Sequence, residues 1–160
     1  MAVDMFLALD GIKGESADKT HKGEIDVLAW SWGLSNSGTF HQGEGGGTGK
    51  ANFQDISFTK YVDLASPDLM YACAAGKHVP KAKLIVRKSG ENPLEYLTYE
   101  FENILVSSIS TGGSGGEDRL TENVTLNFAK VKSEYWTQGT KGAKDKNANF
   151  GWDIAANVKQ

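Results

Sequence analysis

The chain has 160 residues, of which 39% are hydrophobic, including 7 Phe, 5 Tyr and 4 Trp. This length and composition predict one domain over residues 1–160 with its own core, and they exclude disorder over the whole chain. The 17 basic and 20 acidic residues give a net charge of -3, which argues against nucleic acid or an anionic membrane as the main partner.

The N-terminal residues 1–6 contain neither a basic segment nor a continuous apolar stretch, and a secretory signal peptide needs both. We therefore expect the chain to be cytoplasmic at first. Any export from the cell is expected to use a route that reads no N-terminal signal. The apolar runs fall far short of the ~20 residues that span a bilayer, so no membrane insertion is expected. The single cysteine, Cys73, excludes an intrachain disulfide.

Alternation of apolar and polar residues predicts strands along most of the chain. It begins at residues 3–9 and returns at 25–32, and a hairpin is predicted from 81–88 and 94–101 around a turn at 89–93. Opposite charges on the two hairpin arms, such as Lys83 and Arg87 against Glu95 and Glu100, favour their pairing. Later alternation places Leu126 and Phe128 in the predicted core and recurs at residues 150–154. The prediction is a mainly β fold.

The segment 25–32 has apolar residues on both faces. Strict alternation places Asp26, Leu28, Trp30 and Trp32 on one face. It places Ile25, Val27, Ala29 and Ser31 on the other face. Because large aromatic side chains are usually buried, we predict that Trp30 and Trp32 face the core and that Ser31 points outward.

One short helix is predicted at residues 66–76. Ser66 suits the N-cap, Pro67 the first helical position and Asp68 the positive end of the helix dipole, and Gly76 can end the helix in the left-handed conformation. Leu69 and Cys73 share one face of this helix, so Cys73 is interpreted as a small buried hydrophobic residue.

Two segments, 35–50 and 137–149, are predicted to be long polar loops rather than strands. Loops of this length inside a compact domain are usually functional or disordered. The first is rich in glycine. It is either an arm that touches an adjacent subunit or ring, or a mobile surface loop. The candidate contact residues of this arm are Phe40, Gly43, Glu44, Gly45, Gly46, Gly47 and Lys50.

No pattern in the chain commits to catalysis or to a cofactor. Residues 112–116 fit the G-x-S-x-G motif, but that motif needs a helix after it and a catalytic His downstream, and His21, His41 and His78 all lie upstream. The phosphate-binding loop signature fails because Glu44 stands where its first glycine is required. The histidines lack metal-ligand spacing. We predict no enzyme activity, no cofactor and no metal.

Several segments together resemble the haemolysin-coregulated protein (Hcp) family, the tube subunit of bacterial type VI secretion. The matching stretches are GIKGES at 11–16, EIDVLAWSWG at 24–33, FTKYVD at 58–63, GKH at 76–78 and VSSISTGGSGGEDRLTENV at 106–124. They are spread over most of the chain in the family's order, and the last is specific by itself. The chain diverges from the family at 39–50 and after Tyr135.

The resemblance implies a single-domain β-barrel of two packed sheets with one helix at its side. It also implies a homo-hexameric ring, stacking of rings into a tube inside a sheath, expulsion with a spike, and carriage of small effector proteins in the lumen. The ring geometry of the family implies that Ser31 lies on the lumen wall, and we extend this hypothesis to Ser114. The alternative is a monomeric β-barrel that binds a glycan or a protein through Trp30, Trp32, Trp136 or Trp152.

Overall fold

The computed structural model describes residues 2–38 and 49–160, and these residues form ten strands and one helix. In chain order the elements are β1 (Val3–Leu9), β2 (Ile25–Ser31), β3 (Leu34–Ser35), β4 (Asn52–Phe53), β5 (Ile56–Tyr61), α1 (Ala65–Ala75), β6 (His78–Lys88), β7 (Leu94–Thr111), β8 (Thr121–Gln138), β9 (Lys144–Asp153) and β10 (Val158–Lys159). The predicted mainly β fold with one short helix is therefore confirmed.

Eight of these strands form one sheet that closes on itself. Its order is β10-β9-β8-β5-β2-β1-β6-β7, and β7 also pairs with β8. The closed part is therefore a six-stranded antiparallel barrel, and β9 and β10 extend it beyond β8. The remaining strands, β3 and β4, pair with each other in a separate two-stranded sheet.

The long strands β7 and β8 connect two layers of the barrel, because halfway along β8 exchanges one neighbour for another and β7 loses its pairing with β6 beyond Leu105. Residues 121–126 of β8 pair with β5, whereas residues 130–138 pair with β9. At the same level β7 is interrupted by Asn103, whose φ of 55° is left-handed. One layer thus contains β2, β5 and the adjoining halves of β8 and β7, and the other contains β1, β6, the remaining halves and β9.

A single hydrophobic cluster fills the space between the layers. Leu126 and Phe128 belong to it, and Trp30 and Trp32 are partly buried against it. The Trp32 ring lies 6.5 Å from Phe101 and 6.2 Å from Phe128, measured between centroids. Aromatic pairs at such distances add to the stability gained from burial alone.

The prediction that side chains alternate strictly between the two faces along residues 25–32 is wrong. Ile25 and Val27 are buried in the same core that Trp30 and Trp32 pack against, while Ala29 and Ser31 are exposed. The reason is a register shift between Val27 and Ala29, where the ladder with β5 accommodates one extra residue. A β-bulge of this kind reverses the face on which every later side chain lies.

The helix lies where the sequence predicts it, and Gly76 ends it with a φ of 64°. The predicted N-cap is wrong, because Ser66 makes no cap and is buried at 3% exposure, where its Oγ lies 3.2 Å from Lys60 Nζ. The backbone N–H of Ala65 is instead bound at 2.9 Å by the Asp63 carboxylate. Leu69 is fully buried, and Cys73 is partly buried against the core.

The predicted loop at 137–149 is also wrong. β8 continues to Gln138 and β9 begins at Lys144, so this segment is an antiparallel hairpin with a turn at 139–143. Residues 144–149 are all exposed and, except for Ala148, polar or charged, so the apolar alternation in β9 begins only at Phe150 and does not reveal where the strand starts.

The predicted hairpin at 81–101 is present as β6 and β7. Lys83 lies opposite Glu100 and forms an ion pair with it at 3.6 Å. Arg87 lies opposite Glu95 in the ladder but forms its ion pairs with Asp4 and Asp18.

Candidate functional site

One layer of the barrel presents a row of small hydroxyl side chains across four strands. In β2, Ser31 is paired with Ser57 of β5, which is paired with Thr125 of β8, which is paired with Ser108 of β7. Paired residues of neighbouring strands project on the same side of a sheet, so these four side chains form one continuous row. We call this row and the next one, described below, the hydroxyl face.

The second row lies beside the first and is also uncharged. It consists of Ala29, Thr59, Asn123 and Ser110, which follow the same order of strands. Within it the Thr59 hydroxyl donates to Asn123 Oδ1 at 2.6 Å. The hydroxyl face is therefore a neutral polar surface four strands wide, or about 15 Å at the usual strand spacing.

Hydrogen bonds tie the hydroxyl side chains to one another. Thr125 Oγ1 lies 2.7 Å from Ser107 Oγ and 2.6 Å from Ser108 Oγ. At the rim, the Asp55 carboxylate accepts from Ser107 Oγ at 2.6 Å and from Asn127 Nδ2 at 2.8 Å. Such a network fixes the side chains and leaves their remaining hydrogen-bonding capacity for a polar partner.

The core holds the hydroxyl face in place from behind. Each outward residue of β5 and β8 alternates with a buried one, so that Phe58 separates Ser57 from Thr59 and Val124 separates Asn123 from Thr125. This alternation is visible in the sequence, where it identifies the core but not the surface that the outward residues share. Knowledge of the strand order was needed to recognise that these residues share one surface with Ser31.

Both lateral edges of the hydroxyl face lack a strand partner within the described part of the chain. β1 pairs with β2 only at Ile25 and Asp26, which leaves residues 27–31 open on that side. On the opposite side, β6 pairs with β7 only as far as Leu105, which leaves residues 106–111 open. An open strand edge presents unpaired backbone donors and acceptors, and proteins either protect such edges or use them for assembly.

The other predicted site residues lie elsewhere or outside the described residues. Ser114 is exposed in the turn between β7 and β8, where its carbonyl accepts from the Glu117 amide at 3.2 Å, so it belongs to neither row. Lys50 is exposed, next to the point where Asn36 Nδ2 donates to the Gly49 carbonyl at 2.7 Å. Phe40, Gly43, Glu44, Gly45, Gly46 and Gly47 lie outside the described residues.

The second layer of the barrel has a different surface, in which charges alternate across the strands. Lys81 of β6 is paired with Glu102 of β7, which is paired with Lys130 of β8, which is paired with Asp153 of β9. Lys130 Nζ lies 4.0 Å from Glu102 and 3.8 Å from Asp153. The two layers therefore present chemically distinct surfaces, one charged and one neutral.

The described residues contain no group of three His, Cys, Asp or Glu side chains placed to hold a metal ion. Gly112–Gly116 lies in the turn between two antiparallel strands, whereas a nucleophile elbow requires a strand followed by a helix. Within residues 2–38 and 49–160, no helix is both long enough and apolar enough to cross a bilayer.

The fold is a closed antiparallel barrel with a neutral face between two open strand edges, and such edges are compatible with assembly. The family model described as "Type VI secretion system effector, Hcp" matches residues 6–135. The curated protein hcp1 of Pseudomonas aeruginosa is 62% identical over 161 residues, which cover 99% of each chain.

Solved structures with similar folds point to the same family. The crystal structure of Hcp1 from Salmonella typhimurium is 43% identical, has a TM-score of 0.84 and is matched over 100% of both chains. A structure of a type six secretion system protein is 33% identical, has a TM-score of 0.93 and is matched over 99% of this chain and 100% of the other. The chain belongs to the Hcp family of type VI secretion proteins.

Proposed function

We propose that this chain is a tube subunit of a type VI secretion machine, that six copies join into a ring, and that the hydroxyl face lines the opening of the ring. The observation that carries the proposal is the position of this face between two open strand edges. Its role is structural and not catalytic, and it needs no cofactor.

The two edges favour a head-to-tail contact between copies. Residues 27–31 of one subunit would lie beside residues 106–111 of the next, so that the sheet continues from one copy to another. Because the two edges differ, this contact is heterologous and closes into a ring when its rotation divides a full turn. It would also satisfy the backbone groups that each edge leaves open.

Strand spacing gives the size of the opening. Six copies contribute twenty-four strands, and at a spacing of about 4.8 Å these would form a circumference of about 115 Å. The opening would then be about 35 Å across between backbones, which is wide enough for a small folded protein.

The chemistry of the hydroxyl face suits passage of varied cargo. Short hydroxyl and amide side chains can donate or accept hydrogen bonds without imposing a charge on the passenger. We therefore propose small effector proteins as the cargo, and the sheath and spike of the same machine as the other partners. The subunit would assemble in the cytoplasm, and the finished tube would be expelled from the cell.

Light scattering with electron microscopy tests the ring. A particle six times the 17.3 kDa chain mass, with an annular outline, is the expected result. A particle of 17.3 kDa at every concentration would contradict the ring and favour the alternative of a monomeric binding module. Among the described residues, the four tryptophans form no common stacking platform that would support this alternative. Trp30, Trp32 and Trp152 pack against the core, and the Trp136 ring lies 5.3 Å from Lys144 Nζ near the β8–β9 turn.

Replacing Ser31 with arginine is expected to weaken retention of a co-expressed small effector by about tenfold or more, because six long charged side chains would enter the opening. Ser31 lies on the β2 edge, but ring mass should stay unchanged, since its exposed side chain projects into the opening and residues 106–111 proposed to lie beside it carry no charge. The measurement is the amount of effector that co-elutes with the ring. Thr140→Arg, which adds the same charge in the exposed turn at 139–143, should retain the effector. Loss of the ring in Ser31→Arg would contradict the position we propose for this residue.

A further inference from the structure

The loop between β1 and β2, residues 10–24, folds back over the outer side of the barrel. Phe6 of β1 lies outside the main core, yet it is only 5% exposed. The His21 ring of the loop stacks on Phe6, with centroids 4.5 Å apart and planes inclined by 17°. The guanidinium carbon of Arg87 lies 5.0 Å from the same Phe6 centroid. The loop therefore covers an aromatic side chain that the barrel itself leaves on its surface.

A salt bridge fastens the loop at one point. The two terminal nitrogens of Arg87 bind the two carboxylate oxygens of Asp18 at 2.7 and 3.0 Å, and Arg87 Nη2 also binds Asp4 at 3.0 Å. This Arg87 hydrogen bond holds the pKa of the Asp18 carboxyl well below its usual value. The contact between Asp18 and Arg87 is therefore ionic throughout the physiological pH range.

The second fastening point is His21, and both of its ring nitrogens face carboxylates. Nδ1 lies 2.6 Å from Glu24 Oε2 of the same loop, and Nε2 lies 2.6 Å from Glu95 Oε1 of β7. A neutral imidazole carries one N–H, and its other nitrogen is an acceptor. One of the two contacts would then place a nitrogen lone pair against a carboxylate oxygen. Both contacts can exist together only when the ring is an imidazolium.

We propose that His21 is a proton-operated latch, which fastens the loop to Glu95 of β7 when it is protonated and releases the loop from Phe6 when it is neutral. The charged groups around it are Asp4 from β1, Arg87 from β6, Glu95 from β7, and Asp18 and Glu24 from the loop itself. The latch is a property of the single chain and does not depend on the proposed ring.

The direction of the pH effect follows from the surroundings of the ring. Burial lowers the pKa of His21, but the hydrogen bonds to Glu95 and Glu24 outweigh it, and the pKa lies above the ordinary 6.5. Because the pKa of His21 is higher in the folded chain than in the unfolded chain, protonation stabilises the closed loop. This stabilisation is complete at pH values below the pKa in the unfolded chain, and it is lost as the pH rises through the pKa in the folded chain. The latch is therefore closed in mildly acidic solution and opens as the pH rises through the pKa of His21 in the folded chain, which lies above 6.5.

Two measurements on the full chain test the latch. An NMR titration of the histidine ring signals should give His21 a pKa above 6.5, and Glu95→Gln should lower it. Hydrogen exchange of the amides of residues 18–22, corrected for the intrinsic effect of pH, should be about tenfold slower at about pH 6 than at about pH 9. His21→Gln should abolish this difference. Glu100→Gln, a change of an exposed carboxylate on the same strand, should leave both results unchanged.

Several results would overturn the latch. One is a His21 pKa at or below the ordinary 6.5 in the unmodified chain. This test needs no variant, so its outcome does not depend on whether a substituted chain folds. Persistence of the pH-dependent exchange in His21→Gln, or an equal response to Glu95→Gln and Glu100→Gln, would assign the effect to other groups.

Discussion

Replacing Lys60 with methionine is expected to lower the free energy of unfolding by about 3–5 kcal/mol. Lys60 and Glu122 are both fully buried beneath α1, with Nζ 3.0 Å from Glu122 Oε1 and 2.9 Å from Asp63 Oδ1. The Tyr61 carbonyl and the Ser66 hydroxyl complete the shell around the ammonium group. Removing this cation would leave the Glu122 carboxylate buried without a counter-charge. Denaturation by urea at one fixed protein concentration measures the loss.

Two comparisons separate this explanation from a general loss of packing. The double variant Lys60→Met with Glu122→Leu should recover much of the stability, because apolar pairs often replace buried ion pairs at little cost. Lys83→Met removes an exposed ion pair, and its effect should stay within about 1 kcal/mol. If Lys60→Met unfolds at the same urea concentration as the unmodified chain, the buried pair does not hold α1 to the barrel.

Placing lysines at both open edges is expected to abolish the ring while leaving the barrel folded. Ala29 lies on the β2 edge and Ser110 on the β7 edge, and both side chains are exposed at the same level of the sheet. In the proposed ring the two positions approach each other across every junction between subunits. Like charges brought side by side there would repel, and the repulsion would recur at each of the six junctions. Light scattering of Ala29→Lys with Ser110→Lys should report the mass of a single chain.

A charge-swapped partner variant provides the control. Ala29→Glu with Ser110→Lys has the same two positions substituted but brings opposite charges together, so it should recover ring formation in part. Circular dichroism should show the same strand content in both variants. A ring that survives the double lysine variant would mean that subunits do not meet along these two edges.

Much of the fold could be predicted from the sequence because local patterns carry it. Alternation located the strands that face the core on one side, and Pro67, Asp68 and Gly76 marked the helix. The start of β9 could not be found in this way, since residues 144–149 are exposed and mostly polar, and they are held by backbone pairing with β8 and by polar side-chain contacts. The bulge after Val27 was equally hidden, because the apolar residues on both sides of it fit either register.

The candidate site was predicted only in part. Ser31 was predicted to point outward, and it is exposed. Its partners on the other three strands of the hydroxyl face lie 26 to 94 residues further along the chain and meet it only through the strand order β2-β5-β8-β7. The contacts of Arg87 show the same limit. Its pairing with Asp18 spans 69 residues, whereas the hairpin pattern in the sequence predicts acidic partners only on the opposing arm.

Chemical crosslinking across the two edges tests the central claim most directly. In a Cys73→Ala background, Ala29→Cys with Ser110→Cys places one thiol on each edge, and a short bismaleimide can bridge them only where two subunits meet. We predict a ladder of products that ends at six chains, with Ala29→Cys alone giving no ladder. A double-cysteine chain that stays monomeric under the same treatment, or a ladder that continues past six, would contradict a closed six-membered ring joined along these edges.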